Sequence, residues 1–338
     1  MTERVIAYTP TVDWPVMRQR PQQLLSALAK YCGWKVLFPN LHRIPGFEKP
    51  TEVEPGVIVF PDMEIMMRHI KGMGKPVDVT YSTWAKMHEW HDKINALVDV
   101  YDCVDHFPDW QPYEQAMRAR ADVIFAVSAP LMSELALQGW FPIYLPNACS
   151  SDILDKIACV EGGANSPRPA EMPMKPTMLF IGYVGAWVDT EILEAVAEAY
   201  PLVIVGPKTS AQNRLRKAIW VGEKSYADTI PYYEHASLGV LAFDNSVTAR
   251  SASPIKLYEF AGASIPTVCT PIPEAWQFAA AGAAIIAETP EETVEAIRLS
   301  DGVQTMRLQA REFAIANTWE HRAHKFVEEV EKWLPRGR

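Results

Sequence analysis

The sequence predicts an α/β protein made of two Rossmann-like, doubly wound domains facing a central cleft. Three observations predict it. Short β-rich runs alternate with helical patterns along the whole chain, which implies parallel sheets with helical crossovers. The alternation is interrupted once, at "ACVEGGANSPRPAEMPMKP" (158–176), a Gly-, Pro- and Ser-rich run with the character of a linker or long surface loop, and then restarts. The 338 residues also exceed one typical hydrophobic core. The expected division is an N-terminal domain over 1–160, a linker over 161–176, a second domain over 177–316 and a terminal helix over 317–338.

The strands of the first half read as "RVIAYT", "KVLFP", "GVIVF", "PVDVTY", "LVDVYD" and "DVIFAV", starting at Arg4, Lys35, Gly56, Pro76, Leu97 and Asp122. Between them lie helical patterns such as "RPQQLLSALAKY", with Leu24, Leu25, Leu28 and Ala29 on one face. After the linker the strands are "TMLFIG", "LVIVG", "IWVG", "LGVLAF", "TVC" and "AIIA", starting at Thr177, Leu202, Ile219, Leu238, Thr267 and Ala284. The helices there are "TEILEAVAEAY", "YADTIPYYEHA", "SPIKLYEFAG", "PEETVEAIRLS" and the terminal "WEHRAHKFVEEVEKWL". In such sheets ligands bind beyond the carboxyl ends of the strands.

Composition narrows the function classes. With 49% hydrophobic and 22% charged residues the chain reads as a folded soluble protein. A net charge of -9 argues against a general nucleic-acid binder. Cys32, Cys103, Cys149, Cys159 and Cys269 are dispersed without a CxxC pair, which fits a reducing compartment better than a disulfide framework. The N-terminal "MTERVIAYTP" has no signal-peptide core, and no apolar run is long enough to span a bilayer. A cytoplasmic location is expected, either free or peripheral to the inner face of the membrane.

Candidate binding residues cluster at strand ends. "FIGYVGAW" places Gly182 and Gly185 after the first strand of the second domain, and Gly206 and Gly222 end the next two. Glycine at such places permits close backbone approach to a ligand. The spacing is not GxGxxG, so no dinucleotide fingerprint is read here. In "SPIKLYEFAGASIPT" Ser253 reads as an N-cap and Pro254 as the first helical residue, with Gly262 and Pro266 stopping the helix. Lys256 then carries its cation into a first turn that the helix dipole already makes positive. It is either a solvated side chain or the partner of an anion, and a phosphate at the helix N-terminus would satisfy both cation and dipole.

The first domain offers "TPTVDWPVMRQRPQQ", with Asp13, Arg18 and Arg20 before a helix, and "VYDCVDHFPDW", with Asp102, Asp105, His106 and Asp109 after a strand. Arg20 has two readings of equal weight: a fork for a diphosphate, or a helix-start arginine bonded to nearby carboxylates. An aspartate of the second cluster could act as a general base or cap the next helix. "MHEWHD" lacks the four-residue His–His step of a zinc helix and reads as a polar helix surface. No Asp-x-Asp, GxxxxGK[ST] or GxSxG motif occurs, so no metal ligand is assigned.

"MRQRPQQLLSALA", "VYDCVDHF", "DVIFAVSAPLMSEL", "LPNA", "FIGYVGAWVDTEIL", "VGEKSYADTIPYYEHASLGVLAF" and "SPIKLYEFAGASIPTV" occur in an order that resembles the GT-B glycosyltransferases. The likeness is to the bacterial polysaccharide-assembly type, which includes the teichuronic-acid glycosyltransferases. It implies that the second domain binds a nucleotide sugar, that the first binds the acceptor, and that the final helix crosses back to the first domain. Ser253, Pro254, Ile255 and Lys256 match the segment holding the donor diphosphate, and Glu259 the carboxylate that bonds the ribose hydroxyls. Gly222 matches the segment beside the nucleobase, and Gly182 and Gly185 the loop facing the diphosphate. Two departures stand out. Ser251 replaces the first of two glutamates that, in many retaining relatives, are separated by seven residues, and Asn147–Ala148 replaces a usual Asn-Gly.

The expected activity is transfer of a sugar from a nucleotide-diphosphate sugar, UDP before GDP, to a glycan or lipid-linked acceptor, with no cofactor and no required metal. The helix N-terminus, Lys256 and Arg20 would stabilise the leaving diphosphate. In an inverting reaction Asp13 or Asp105 would take the acceptor proton; a retaining one needs no protein base. The rival readings are a non-catalytic sugar-nucleotide-binding subunit and a sugar-nucleotide epimerase of the same architecture.

Overall fold

The computed structural model describes residues 3–157, 164–300 and 304–335. Cys159 and residues 161–163 of the expected linker lie outside the described residues. The chain divides into two compact units, Met1–Asn147 with Trp319–Arg338, and Ala148–Thr318. The division therefore falls at Asn147 rather than near 160. The reason is packing: Ile153 and Ile157, in and just after helix Ser151–Lys156, are buried in the core of the second unit together with Met172. The described part of the expected linker is tied to that unit as well. The Glu234 carboxylate accepts the backbone N–H groups of Asn165 and Ser166, each at 3.0 Å.

In the first unit eight strands form one sheet: β1 (Val5–Thr9), β2 (Lys35–Pro39), β3 (Thr51–Glu54), β4 (Val57–Phe60), β5 (Val79–Ser82), β6 (Val98–Cys103), β7 (Val123–Ala126) and β8 (Ile143–Tyr144). Their spatial order is β3-β4-β2-β1-β5-β6-β7-β8, parallel except for the antiparallel pair β3–β4. Six of them coincide with the apolar runs. β3 and β8 escaped sequence reading for physical reasons. "TEVE" presents charge rather than an apolar alternation, and "IY" is two residues between Pro142 and Pro146 on the sheet edge.

Helix Arg20–Cys32 has Pro21 in its first turn, where no N–H is needed, and stops at Gly33 with φ 69°. Its buried Leu24, Leu25 and Leu28 lie on the face expected from their spacing. The terminal helix Trp319–Val330 belongs to this unit and packs along the same helix. Its Phe326 ring meets Phe125 at 5.2 Å, Tyr81 at 5.8 Å and Trp34 at 6.1 Å between centroids.

The second unit holds β9 (Met178–Ile181), β10 (Leu202–Val205), β11 (Ile219–Gly222), β12 (Leu238–Leu241), β13 (Thr267–Cys269) and β14 (Ala284–Ile286), all parallel, in the order β11-β10-β9-β12-β13-β14. Helices cover both faces, so the strands are apolar without alternation. Met178, Phe180, Leu202 and Ile204 face one core cluster, while Leu179, Ile181, Val203 and Val205 face the other. No helix among the described residues is long and apolar enough to cross a membrane.

Both sheets reverse direction of winding once. The chain runs outward from β1 through β2 and β4, then returns to place β5 on the other side of β1; β9 and β12 repeat the pattern. Loops after neighbouring strands diverge at these two points, which opens a crevice at the carboxyl edge of each sheet.

Phe326 supplies the test of this arrangement. Phe326→Ala removes a fully buried ring from three aromatic contacts and is expected to cost about 3–5 kcal/mol. Urea unfolding of the full chain measures it; a loss below about 1 kcal/mol would show that the terminal helix is not part of the first core.

Candidate functional site

In the second unit the switch point lies between the loops after β9 and β12. Gly182 opens the first of these loops with φ 147°, a conformation that L side chains rarely adopt. The edge continues through neighbouring strands: Gly182 N–H donates to Val205 O and Gly206 N–H donates to Gly222 O, both at 3.0 Å. A Cβ on Gly206 would stand 2.0 Å from the carbonyl oxygen of Gly182. Gly206 is thus required by its neighbour strand, whether or not a ligand binds. Gly222, with φ 90°, is required by its turn. A Cβ on Gly185 would press on the rings of Tyr183 and Trp187 at 2.9 Å.

The helix expected at 253–262 spans Ile255–Gly262, one residue later than its sequence signals suggest. Pro254 is the N-cap rather than the first helical residue; it has no side-chain acceptor for the free N–H groups of the first turn. Ser253 is buried just ahead of it. Gly262 does not stop the helix but lies within it, where a Cβ would fall 2.3 Å from Cys149 Sγ. The left-handed residue that turns the chain is Ser264, φ 59°.

The anion beside Lys256 belongs to the chain itself. Lys256 Nζ donates to Glu259 Oε2 at 2.5 Å, and the Tyr233 hydroxyl donates to the same oxygen at 2.6 Å. Burial, with the Glu259 charge beside it, pushes the Tyr233 phenol well above its usual range, so it remains a donor. Glu259 is fully buried, yet its Oε1 has no hydrogen-bond partner among the described residues. An orphaned buried carboxylate oxygen is costly unless a ligand satisfies it. Tyr233 escaped sequence reading because it lies 26 residues from Glu259.

In the first unit Arg20 takes the structural one of its two readings. It is the first residue of helix Arg20–Cys32 and is buried. Its Nε and Nη2 grip the two oxygens of Asp102 at 2.6 and 3.0 Å, Nη1 donates to Asn147 Oδ1, and Nη2 also donates to Leu145 O. The guanidinium stands 5.8 Å from the Trp319 ring, and Tyr81 donates to Asp102 at 2.5 Å. Its fork is thus held by protein groups, as the second of those readings expects.

Asp13 is likewise engaged. Its Oδ1 accepts the N–H groups of Leu41 (2.6 Å) and His42 (3.0 Å), and its Oδ2 lies 2.7 Å from His42 Nδ1. Asp105, on the segment after β6, is different: half-buried, it makes no hydrogen bond among the described residues. Burial pushes its carboxyl from the ordinary 3.8 to about 7, opposed only by the positive charge of Arg20. His106 pairs with Glu134 at 2.9 Å, and Asp109 is exposed. "MHEWHD" is not simply a polar surface. His91 is buried, its Nε2 2.6 Å from Ser82 Oγ and its Nδ1 2.9 Å from Asp99. Among the described residues no three His, Cys, Asp or Glu side chains converge as a metal site.

Two outcomes follow. Lys256→Met leaves the buried Glu259 carboxylate with Tyr233 alone and is expected to destabilise the free protein by about 1–3 kcal/mol, measured by urea unfolding. An unchanged midpoint would return Lys256 to the solvated reading. For Asp105, the raised carboxyl binds its proton more tightly in the folded than in the unfolded state. The stability this gives is complete below about pH 3.8 and is lost as pH rises through about 7. Asp105→Asn should therefore gain stability relative to wild type between these limits, read from paired melting curves. A pH-independent difference would contradict the buried carboxyl.

No family model matches the sequence, and neither does any curated protein. Solved structures do match. The sucrose-phosphate synthase of Thermosynechococcus elongatus is 14% identical, with 98% of this chain and 99% of that one covered, at a TM-score of 0.71. A glycosyltransferase from Rickettsia africae is 12% identical with both chains fully covered, at 0.69. Anabaena HepE, solved in complex with UDP and glucose, is 12% identical over 97% of this chain and 99% of its own, at 0.69. The two parallel-sheet, Rossmann-like units thus match the fold of GT-B structures.

Proposed function

We propose that this chain is a glycosyltransferase that moves a sugar from a nucleotide-diphosphate sugar to a glycan or lipid-linked acceptor, UDP being the first choice of nucleotide and GDP the second. The carrying observation is the free, fully buried Oε1 of Glu259, four residues into a helix whose first turn has no side-chain cap. A ribose hydroxyl is a donor of the right kind for that oxygen. The N–H groups of the first turn, with Lys256, suit a diphosphate. Gly182, Gly185 and Gly222, and the segment from Ser253 to Ile255, would lie along the nucleotide. Gly206 supports that edge from behind. A structural neighbour solved with UDP and glucose supports the same reading.

Lys256 changes its work in this scheme. In the free protein it neutralises Glu259; with donor bound it also faces the diphosphate, and the leaving group departs with its negative charge against a lysine and a helix N-terminus. These groups carry the charge without a metal ion. The six-stranded unit is assigned to the donor and the eight-stranded unit to the acceptor. The reading places the chain in polysaccharide assembly, similar to the teichuronic-acid enzymes, in the cytoplasm or at the inner membrane face.

Glu259→Gln keeps the volume of the side chain but removes its charge. It is expected to weaken UDP or UDP-sugar binding about 10- to 150-fold, the equivalent of roughly 1.5–3 kcal/mol for a lost charged hydrogen bond. Calorimetry on protein whose melting curve shows it folded is the measurement, with transfer assayed in EDTA alongside. Unchanged affinity removes Glu259 from the site; abolition by EDTA with rescue by magnesium refutes the metal-free scheme.

A further inference from the structure

We propose that Tyr183, held against Trp187, is the platform on which the pyranose ring of the donor lies, so that the loop after β9 reads the sugar rather than the nucleotide; this rests on the transferase reading above.

The loop is shaped around two rings. Tyr183 and Trp187 come together with centroids 5.9 Å apart and planes tilted by 42°. Gly185 lies between them in the chain, and a Cβ there would stand 2.9 Å from atoms of both rings. This glycine therefore makes room for the aromatic pair, whatever else binds. The two rings are held differently. Trp187 packs on the core cluster that contains Met178 and Phe180, and its carbonyl accepts the Asp244 N–H at 2.9 Å. Val188 forms an antiparallel bridge with Phe243, and Asp189 N–H donates to Ala242 O at 3.0 Å, so the far end of the loop is tied to the loop after β12. Tyr183 leans on this anchored indole but stays 48% exposed, and its hydroxyl makes no hydrogen bond among the described residues. A tyrosine has only two side-chain torsions, so a ring already braced from one side offers its open face at small entropic cost.

The position and the chemistry of that face select its ligand. The loop after β12 leads through helix Val247–Ser251 to the start of helix Ile255–Gly262, where the diphosphate lies in the reading above. The nucleobase lies toward Gly222, on β11 at the sheet edge. The group nearest the β9 loop is then the one hung from the far end of the diphosphate, the sugar. From Gly182 to Val188, "GYVGAWV", the loop carries no charged side chain, which suits a sugar ring and not a phosphate. A pyranose has an apolar C–H face and a rim of hydroxyls. Tyr183 presents the matching pair, a π face with a phenol at its edge.

Calorimetry on the full chain tests this by comparing UDP with UDP-glucose and UDP-N-acetylglucosamine, and GDP with GDP-mannose, in wild type and in Tyr183→Ala, Tyr183→Phe and Gly185→Ala. Melting curves check that each variant is folded. Tyr183→Ala is expected to weaken the best-bound nucleotide sugar about 3- to 10-fold while affinity for the bare diphosphate holds. Tyr183→Phe keeps the ring and most of the affinity. Gly185→Ala keeps Tyr183 but drives the rings apart, so it should weaken the nucleotide sugar more than the bare diphosphate. Saturation transfer from aromatic protons should reach the sugar C–H protons in wild type and fall in Tyr183→Ala. Equal losses for diphosphate and nucleotide sugar would put the ring on the nucleotide, and no loss in Tyr183→Ala would leave it solvated. Either result overturns the platform while the transferase reading stands. A wild type that binds none of the five compounds removes the transferase reading and the platform together.

Discussion

The first unit is organised around the buried pair of Arg20 and Asp102. A guanidinium and a carboxylate without water are tolerable only when nearly every donor and acceptor is used, and here they are. Arg20 begins the first long helix, Asp102 is in β6, Tyr81 reaches the pair from β5, and Leu145 and Asn147 receive the remaining donors from the segment after β8. Trp319, at the start of the terminal helix, covers the guanidinium. One ion pair thus gathers five segments of the chain. It also holds its surroundings positive enough to oppose, without cancelling, the effect of burial on Asp105.

The second unit solves a related problem with less. Glu259 is buried beside one lysine and one tyrosine, which satisfy one oxygen and leave the other without a donor among the described residues. A half-satisfied carboxylate is poor design for stability and good design for a binding site. The glycines along the same sheet edge differ in origin. Gly206 is imposed by the Gly182 carbonyl, whereas Gly182 and Gly222 are imposed by their own backbone angles. A row of glycines at strand ends therefore mixes residues that make room for a ligand with residues that make room for each other.

The sequence by itself determined the class of fold, and the reason is local. Runs such as "MLFI" and "LVIV" are apolar on both faces because helices cover both faces of the sheet, and a helix such as "RPQQLLSALAKY" carries its start signal and its apolar stripe within thirteen residues. Lys256 and Glu259, singled out as nucleotide-binding candidates, stand three residues apart on one helix and pair with each other. The misplaced cation at Lys256 finds its anion in a neighbour on the same helix, which the sequence reading did not foresee. What only the tertiary structure decided are pairings between side chains on different elements: Arg20 with Asp102, Tyr233 with Glu259, Asp13 with His42, and His91 with Ser82. Each changes the chemistry assigned to a residue, turning a phosphate fork into a structural pin and a surface histidine into a buried one. No local pattern encodes them, because a side chain's partner is set by which strands lie adjacent. Strand order, unlike strand identity, is decided by how the whole chain winds.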